Sequence, residues 1–196
     1  MIEANQNSFL RDFVIYVGRI RLFRRQDWIV YTIWVGMMYG LFGVTFGFLW
    51  WGHSNGVHYP AYVWNIPIGI FIFSTAIAID TIGHRTIYKE YLMRGEALVH
   101  HITIAAGITS VLALCLGYEN PLIMRTPALA LIFLSVVYSL VDEGMHWYRY
   151  FTSQSDRVEM WSHFFILLGH LIMILEWWNW FSQGYPGVAE TLAMMG

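Results

Sequence analysis

The chain has 196 residues, of which 57% are hydrophobic and 12% are charged, and its formal net charge is −2. Soluble domains carry about 25% charged residues, so this composition excludes an ordinary soluble domain and indicates an integral membrane protein. The charge is small and forms no basic patch, which excludes nucleic acid as a partner. The single cysteine, Cys115, excludes an internal disulfide and a CxxC metal motif.

Five apolar segments predict membrane-spanning helices, since each has at least the roughly 20 residues that a bilayer requires. They cover residues 28–51, 61–83, 97–117, 126–146 and 158–181. Their connections are short, which predicts one membrane domain over residues 1–196. The stretch FLRDFVIYVGRIRLF, residues 9–23, is too short and too charged to cross. It predicts an interfacial helix that lies on the membrane surface.

The basic residues predict the orientation of these spans. In a five-span topology ten of the eleven Lys and Arg residues fall on one side, and only Arg125 falls on the other. Positive residues are retained in the cytoplasm, so the N-terminus is predicted to be cytoplasmic and the C-terminus to lie outside. The ten residues are Arg11, Arg19, Arg21, Arg24, Arg25, Arg85, Lys89, Arg94, Arg149 and Arg157. The last span ends in EWWNW, residues 176–180, which could form a packing surface or an aromatic belt; we favour the belt.

Acidic and histidine side chains collect at the predicted cytoplasmic ends of four spans. Ionisable groups are costly in lipid, so several of them at one depth indicate a functional site. The candidate metal ligands are two aspartates and four histidines: Asp80, His84, His101, Asp142, His146 and His163. Further candidates, either as ligands or as partners that orient the ligands, are Glu96, His100, Glu143, Glu159 and His170.

The candidate ligands recur at a spacing of 62 residues. This shift superposes Asp80 on Asp142, His84 on His146 and His101 on His163, together with Tyr88 on Tyr150, Ile104 on Ile166 and Gly107 on Gly169. The shared pattern, Asp-x3-His-x16-His, predicts an internally duplicated two-helix hairpin with halves at about 61–117 and 126–181. Sites in duplicated membrane folds lie where the repeats meet. The duplication selects His101 rather than His100, because adjacent helical residues point about 100° apart.

The types of ligand narrow the choice of metal. Imidazole and carboxylate donors without thiolate suit copper, iron, zinc or manganese, and this many donors exceed the need of one ion, which favours two. A di-iron bundle would need a second Glu-x-x-His motif besides the one formed by Glu143 and His146. The histidine boxes of membrane desaturases, HxxxH and HxxHH, are absent from the sequence.

The two Asp-x3-His motifs resemble those of a known family. In the C subunit of the copper membrane monooxygenases (particulate methane and ammonia monooxygenase), Asp-x3-His and then Asn-x3-His are each followed by a further His. The stretch DEGMHWY, residues 142–148, is similar to the second motif, with Asp142 in place of the family's Asn. The family's gap between its histidines is shorter. The resemblance covers about residues 80–170. It implies two copper sites, formed by Asp80, His84 and His101 and by Asp142, His146 and His163.

Three functions remain open on this evidence. The first is a metal-dependent membrane oxidoreductase or monooxygenase, with copper or di-iron and with zinc still open, that acts on a small or lipid-like substrate. The second is a haem b electron carrier with His101 and His163 as axial ligands, although haem does not require a carboxylate four residues before each histidine. The third is a non-catalytic subunit of a larger membrane complex. The expected partners are the lipid bilayer and other membrane subunits or further copies of the chain.

Overall fold

The computed structural model describes residues 8–87, 95–153 and 156–196, which are largely helical. These ranges contain seven α-helices and no β-strand, so the prediction of an all-α fold is confirmed. The helices are α1 (Phe9–Gly18), α2 (Arg25–Ser54), α3 (Asn65–Thr86), α4 (Glu96–Leu116), α5 (Pro121–Ser153), α6 (Arg157–Ser182) and α7 (Val188–Met195). Short 3-10 helices precede α2 and α3 at Arg19–Leu22 and Ala61–Trp64.

Five helices are long and apolar enough to cross a membrane: α2, α3 with its preceding 3-10 turn, α4, α5 and α6. Each coincides with one of the five predicted segments, so the number and order of the long apolar helices are confirmed. At one end α5 continues to Ser153, well beyond the predicted limit at residue 146. The extension contains one charged residue, Arg149, which is buried and paired with Glu96 and Glu159.

Side-chain caps define where two of the helices begin. The backbone N–H of Arg24 donates to Asp27 Oδ2 at 3.0 Å, which caps the start of α2. The N–H of Val158 donates to Asp156 Oδ1 at 2.9 Å, which caps α6. Asp27 also accepts from Arg85 Nε at 3.0 Å, so the start of α2 is tied to the end of α3.

The segment predicted to be an interfacial helix is helical, as α1 and the 3-10 turn that follows it. Arg157 Nε lies 2.5 Å from Asp12 Oδ2 and Arg19 Nη1 lies 3.5 Å from Asp156 Oδ2, so this segment is paired with the start of α6. Tyr16 is fully buried in a small apolar cluster with Phe23, Ile82 and Val158. Residues Tyr88, Lys89 and Arg94, which entered the repeat and the orientation predictions, lie outside the described residues.

The four helices that carry the candidate ligands pack as two closely associated pairs, α3 with α6 and α4 with α5. The α3–α6 contact is closest at two glycines. A Cβ on Gly169 would lie 2.5 Å from the backbone nitrogen of Phe73 and 2.7 Å from the carbonyl oxygen of Gly69. Helix α2 packs on the outside of α3, where Tyr39 and Thr75 share a 2.9 Å hydrogen bond.

The predicted repeat can be compared with this packing. The proposed repeat makes α3 equivalent to α5 and α4 equivalent to α6, so the α3–α6 pair should have a counterpart in the α5–α4 pair. The helices of both pairs make extensive contacts. The hairpins themselves differ, because α5 contacts α6 whereas α3 and α4 make no comparable contact within the described residues. Within the described residues α3 and α4 are therefore not packed closely against each other.

The opposite end of the bundle is closed by the C-terminal segment. The Tyr185 hydroxyl donates to the carbonyl of Leu114 at 2.5 Å, and burial raises the pKa of this phenol. Thr191 of α7 hydrogen-bonds Tyr59. Trp177 and Trp180 are buried in the apolar core, so the interpretation of EWWNW as an aromatic belt is wrong for these two residues. Trp180 Nε1 donates to the carbonyl of Pro186 at 3.1 Å and its ring contacts Tyr185, contacts that the apolar sequence around it could not show.

Candidate metal site at one end of the bundle

The ends of four helices meet in a buried group of ionisable side chains, which we call the histidine cluster. Helices α3 and α5 run towards this end and α4 and α6 start from it, so each contributes residues at the same depth. The cluster consists of Asp80 and His84 on α3, Glu96 and His100 on α4, Asp142, His146 and Arg149 on α5, and Glu159 and His163 on α6. Most of these side chains are buried.

Four members of the cluster offer donor atoms that could hold a metal ion: His84, His146, Glu159 and His163. One donor atom of each lies within 4.8 Å of the donors of the other three. A transition metal bonds imidazole and carboxylate at about 2 Å, so donors on opposite sides of one ion are about 4 Å apart. The four donors are therefore close to the separation that a single ion requires, and a small adjustment of rotamers would bring them to it.

The ring of His146 is oriented by its own helix. Its Nδ1 lies 2.8 Å from the backbone carbonyl of Asp142, and a carbonyl can only accept, so Nδ1 carries the proton. In the neutral imidazole Nε2 then has the free lone pair. His146 Nε2 is buried and has no hydrogen-bond partner among the described residues. A lone pair with this orientation is what a metal ligand supplies.

His163 stacks on His146, with ring centroids 3.3 Å apart and planes inclined by 20°. Its Nε2 lies 3.2 Å from Asp80 Oδ1, but the two atoms lack the alignment of a hydrogen bond. Asp80 Oδ1 and Asp142 Oδ1 are also buried without a hydrogen bond inside the described ranges. Buried polar atoms are rarely left in this state, so their convergence is consistent with a bound cation.

The two aspartates contact several imidazoles each. Asp80 Oδ2 lies 3.3 Å from His84 Nε2, while its other oxygen approaches His163. Asp142 Oδ2 lies 3.4 Å from His100 Nδ1 and 3.9 Å from His163 Nδ1. A carboxylate beside an imidazole holds the ring in one orientation and makes it a better ligand.

Arg149 is buried inside the cluster with both ends of its fork engaged. Its Nη1 lies 2.5 Å from Glu96 Oε1, and its Nη2 donates to Glu159 Oε1. Sequence reasoning missed this role, because it counted Arg149 only as a cytoplasmic charge. The signal was available in its position three residues after His146, on the same face of α5.

Exposure differs across the cluster. The side chains of His146, Glu159 and His163 are 2–3% exposed, whereas those of His84 and His100 are 21% and 36% exposed. The rings of His84 and His100 are stacked, with centroids 5.5 Å apart. These two histidines, one on α3 and one on α4, are therefore the most exposed histidines of the cluster.

Three predicted site residues lie elsewhere. His101 is exposed and its Nδ1 contacts the backbone carbonyl of Ala97, so the expectation that it faces the repeat-related site is wrong. His100 takes that place, because the helix turns the two side chains about 100° apart. Glu143 accepts from Trp147 Nε1 at 2.6 Å. His170 lies deeper, where Ser139 Oγ is 3.1 Å from its Nδ1 and Ser135 Oγ is 3.4 Å from its Nε2.

The geometry also bears on the haem alternative. Two axial ligands of one haem must face each other across the porphyrin plane. His101 and His163 do not, since one is exposed and the other is buried in the cluster. His146 and His163 stack directly, which leaves no space for a porphyrin between them.

No protein-family model, curated protein or solved structure matches this chain. The fold and the site themselves therefore define the class: an all-helical protein with five candidate membrane spans, in which four helix ends hold a buried His and carboxylate group that could bind a metal ion.

Proposed function

We propose that this chain is an integral membrane protein that binds a transition metal ion through His84, His146, Glu159 and His163. The observation that carries the proposal is the convergence of these four donors within 4.8 Å. The orientation of the spans, with the N-terminus and the histidine cluster at the cytoplasmic side, rests on the distribution of basic residues.

The charge balance at this end of the bundle supports a bound cation. Four carboxylates of the cluster, those of Asp80, Glu96, Asp142 and Glu159, are buried, and among the described residues Arg149 is the arginine buried beside them. Uncompensated negative charge is strongly unfavourable in an apolar environment. Bound metal ions, protonated imidazoles or protons on the acids themselves can balance this charge.

The ligand set supports copper or iron, and zinc or manganese would also suit it. A redox-active ion held there would supply one-electron chemistry and the activation of oxygen. The residues of the chain bind the ion, orient the imidazoles through Asp80 and Asp142, and exclude water by burial of His146 and His163. A small or lipid-like substrate would approach the cluster at its more exposed histidines, His84 and His100. The activity proposed is that of a metal-dependent oxidoreductase or monooxygenase, or of a subunit of one.

The resemblance to the C subunit of the copper membrane monooxygenases remains part of this proposal. Five of the six residues matched to that family lie in the histidine cluster: Asp80, His84, Asp142, His146 and His163. The remaining matched residue, His101, does not. The proposed ligands are therefore those of this chain's own geometry. We also propose the internal duplication. It is supported by the extensive contacts of both the α3–α6 pair and the α4–α5 pair, which the repeat would make equivalent.

Helix α2 supports the alternative that this chain is a subunit of a larger membrane complex. Five of its thirty residues are buried inside the chain, so much of the surface of this helix is open to lipid or to partner subunits. Membrane subunits of another sequence or further copies of this chain would pack there.

The test is direct measurement of metal. The protein is purified in detergent from cells grown with copper and iron, and its metal content is measured by mass spectrometry together with its absorption spectrum. Copper or iron is expected without a Soret band. A preparation that retains no transition metal and binds none on titration would overturn the proposal, and a Soret band would establish haem instead.

A further inference from the structure

The position of Arg149 has a consequence for how many ions the cluster can hold. Its fork joins Glu96 Oε1 and Glu159 Oε1, on two different helices, while Arg149 itself is only 7% exposed. The same two carboxylate oxygens lie 3.6 Å and 3.9 Å from His146 Nε2. Two carboxylates and an imidazole from three helices thus surround the guanidinium.

This surrounding group has the composition of a second metal subsite. Dinuclear centres place their ions about 3.5–4 Å apart and share carboxylates between them. Glu159 would be the shared carboxylate here, because it also belongs to the four-donor group with His84, His146 and His163. Glu96 would complete the second subsite. The place where a second ion would bind Glu96 and Glu159 is occupied by the guanidinium.

A guanidinium is a permanent cation with donors in a fixed planar fork, and it cannot act as a metal ligand. It compensates the charge of Glu96 and Glu159 as a metal would, but it leaves no vacancy for one. The other carboxylate near the group, Asp142, has its Oδ2 hydrogen-bonded to His100 at 3.4 Å. Within the described residues one group of donors could hold a metal ion, and it is the group of four.

We infer that Arg149 occupies the position of a second cation and limits the histidine cluster to one metal ion. This inference rests on the proposed metal-binding function and specifies its stoichiometry. It replaces the expectation of two ions, which came from counting donors in the sequence without knowing that one arginine is buried among them.

The experiment counts ions in protein that has been stripped with a chelator and titrated with Co²⁺ or Mn²⁺. Metal per chain is measured by mass spectrometry after gel filtration, and spin coupling between Mn²⁺ ions is measured by electron paramagnetic resonance. The wild type is expected to hold one ion per chain with an uncoupled Mn²⁺ spectrum. Arg149→Ser opens the second subsite, so it is expected to hold two ions with a coupled spectrum.

Three variants act as controls. Arg149→Lys keeps a cation in the subsite and should hold one ion. Arg149→Ser combined with Glu96→Gln should also hold one, because the second subsite has lost a carboxylate. Arg157→Ser removes an arginine that pairs with Asp12 at the same end of the bundle but outside the cluster, and it should hold one ion.

The outcomes separate the two proposals. A wild type that holds two ions overturns this inference and leaves the metal-binding function intact. So does an Arg149→Ser protein that keeps its helix content and elution volume but holds only one ion. If Arg149→Ser does not fold, the inference is tested by the number of ions in the wild type and by the single variant Glu96→Gln. Loss of the bound ion in Glu96→Gln would make Glu96 a ligand of that ion and would overturn the inference. A wild type that holds no ion overturns the proposed function itself.

Discussion

The imidazoles of His146 and His163 stack face to face, with centroids 3.3 Å apart, although they come from different helices. This contact brings α5 against α6 at the centre of the histidine cluster. It joins His146, whose Nε2 is available as a ligand, to His163, whose Nε2 approaches Asp80. The stack is the reason that donors separated by a loop in the sequence reach one point in space.

Removing a buried imidazole should abolish metal binding, whereas removing an exposed one should not. His163→Ala is expected to weaken metal binding by more than the roughly 10–100-fold that loss of an orienting partner costs. His101→Ala is the matched control, because His101 lies on the exposed face of α4. Metal content per chain after gel filtration measures both. Loss of metal in His101→Ala with retention in His163→Ala would contradict the ligand set.

Asp80 should act on the metal through the two imidazoles beside it. Asp80→Asn keeps the size of the side chain but removes the negative charge next to His84 and His163, so metal affinity should fall about 10–100-fold. Competition with a chelator of known affinity measures the change. Asp27→Asn provides the comparison, because Asp27 is equally buried but pairs with Arg85. It should lower the unfolding temperature and leave the affinity unchanged; equal affinities in the two variants would argue against a role for Asp80.

The close contact between α3 and α6 predicts opposite effects on stability for substitutions at Gly169 and Gly107, which the proposed repeat makes equivalent. Gly169→Ala would place its Cβ 2.5 Å from the backbone of Phe73, and such overpacking costs about 1–3 kcal/mol. Gly107→Ala meets nothing within 4 Å and should be neutral or stabilising by about 0.5–1 kcal/mol. Thermal unfolding in detergent, followed by circular dichroism, measures both. Equal destabilisation would show that the contact at Gly169 is not close.

The proposed topology predicts which connections share a side of the membrane. Reporter fusions at Asn120 and Gly196 should both score as external, and a fusion at Gly95 should score as cytoplasmic, because α4 separates Gly95 from Asn120. Paired reporters, one active in the cytoplasm and one active outside, measure this. A cytoplasmic score at Gly196 would place the histidine cluster on the other side.

The sequence was sufficient to predict the five long apolar helices, because hydrophobic length is read directly from it. It also predicted that Asp80, His84, Asp142, His146, Glu159 and His163 lie at one end of the bundle, since helix direction and position within each span determine depth. The choice between His100 and His101 could not be made in this way. That choice depends on how α4 is rotated about its axis relative to α5. The packing of the helices determines this rotation, and a repeat spacing of 62 residues does not.

Arg149 and α7 show two further limits of the sequence. Hydropathy cannot distinguish an arginine in water from one buried between Glu96 and Glu159, because the difference lies entirely in its partners. Helix α7, Val188–Met195, is too short and irregular in pattern to have been predicted, and its position depends on contacts such as that of Thr191 with Tyr59.

The division of the bundle into the α3–α6 pair and the α4–α5 pair gives the histidine cluster a mechanical role. One pair carries Asp80, His84, Glu159 and His163, and the other carries Glu96, His100, Asp142, His146 and Arg149. Every contact of His146 with His163 and of Arg149 with Glu159 therefore crosses from one pair to the other. An ion bound by His146 together with His84, Glu159 and His163 would therefore link the two helix pairs, and stripping it would remove one of the links between them.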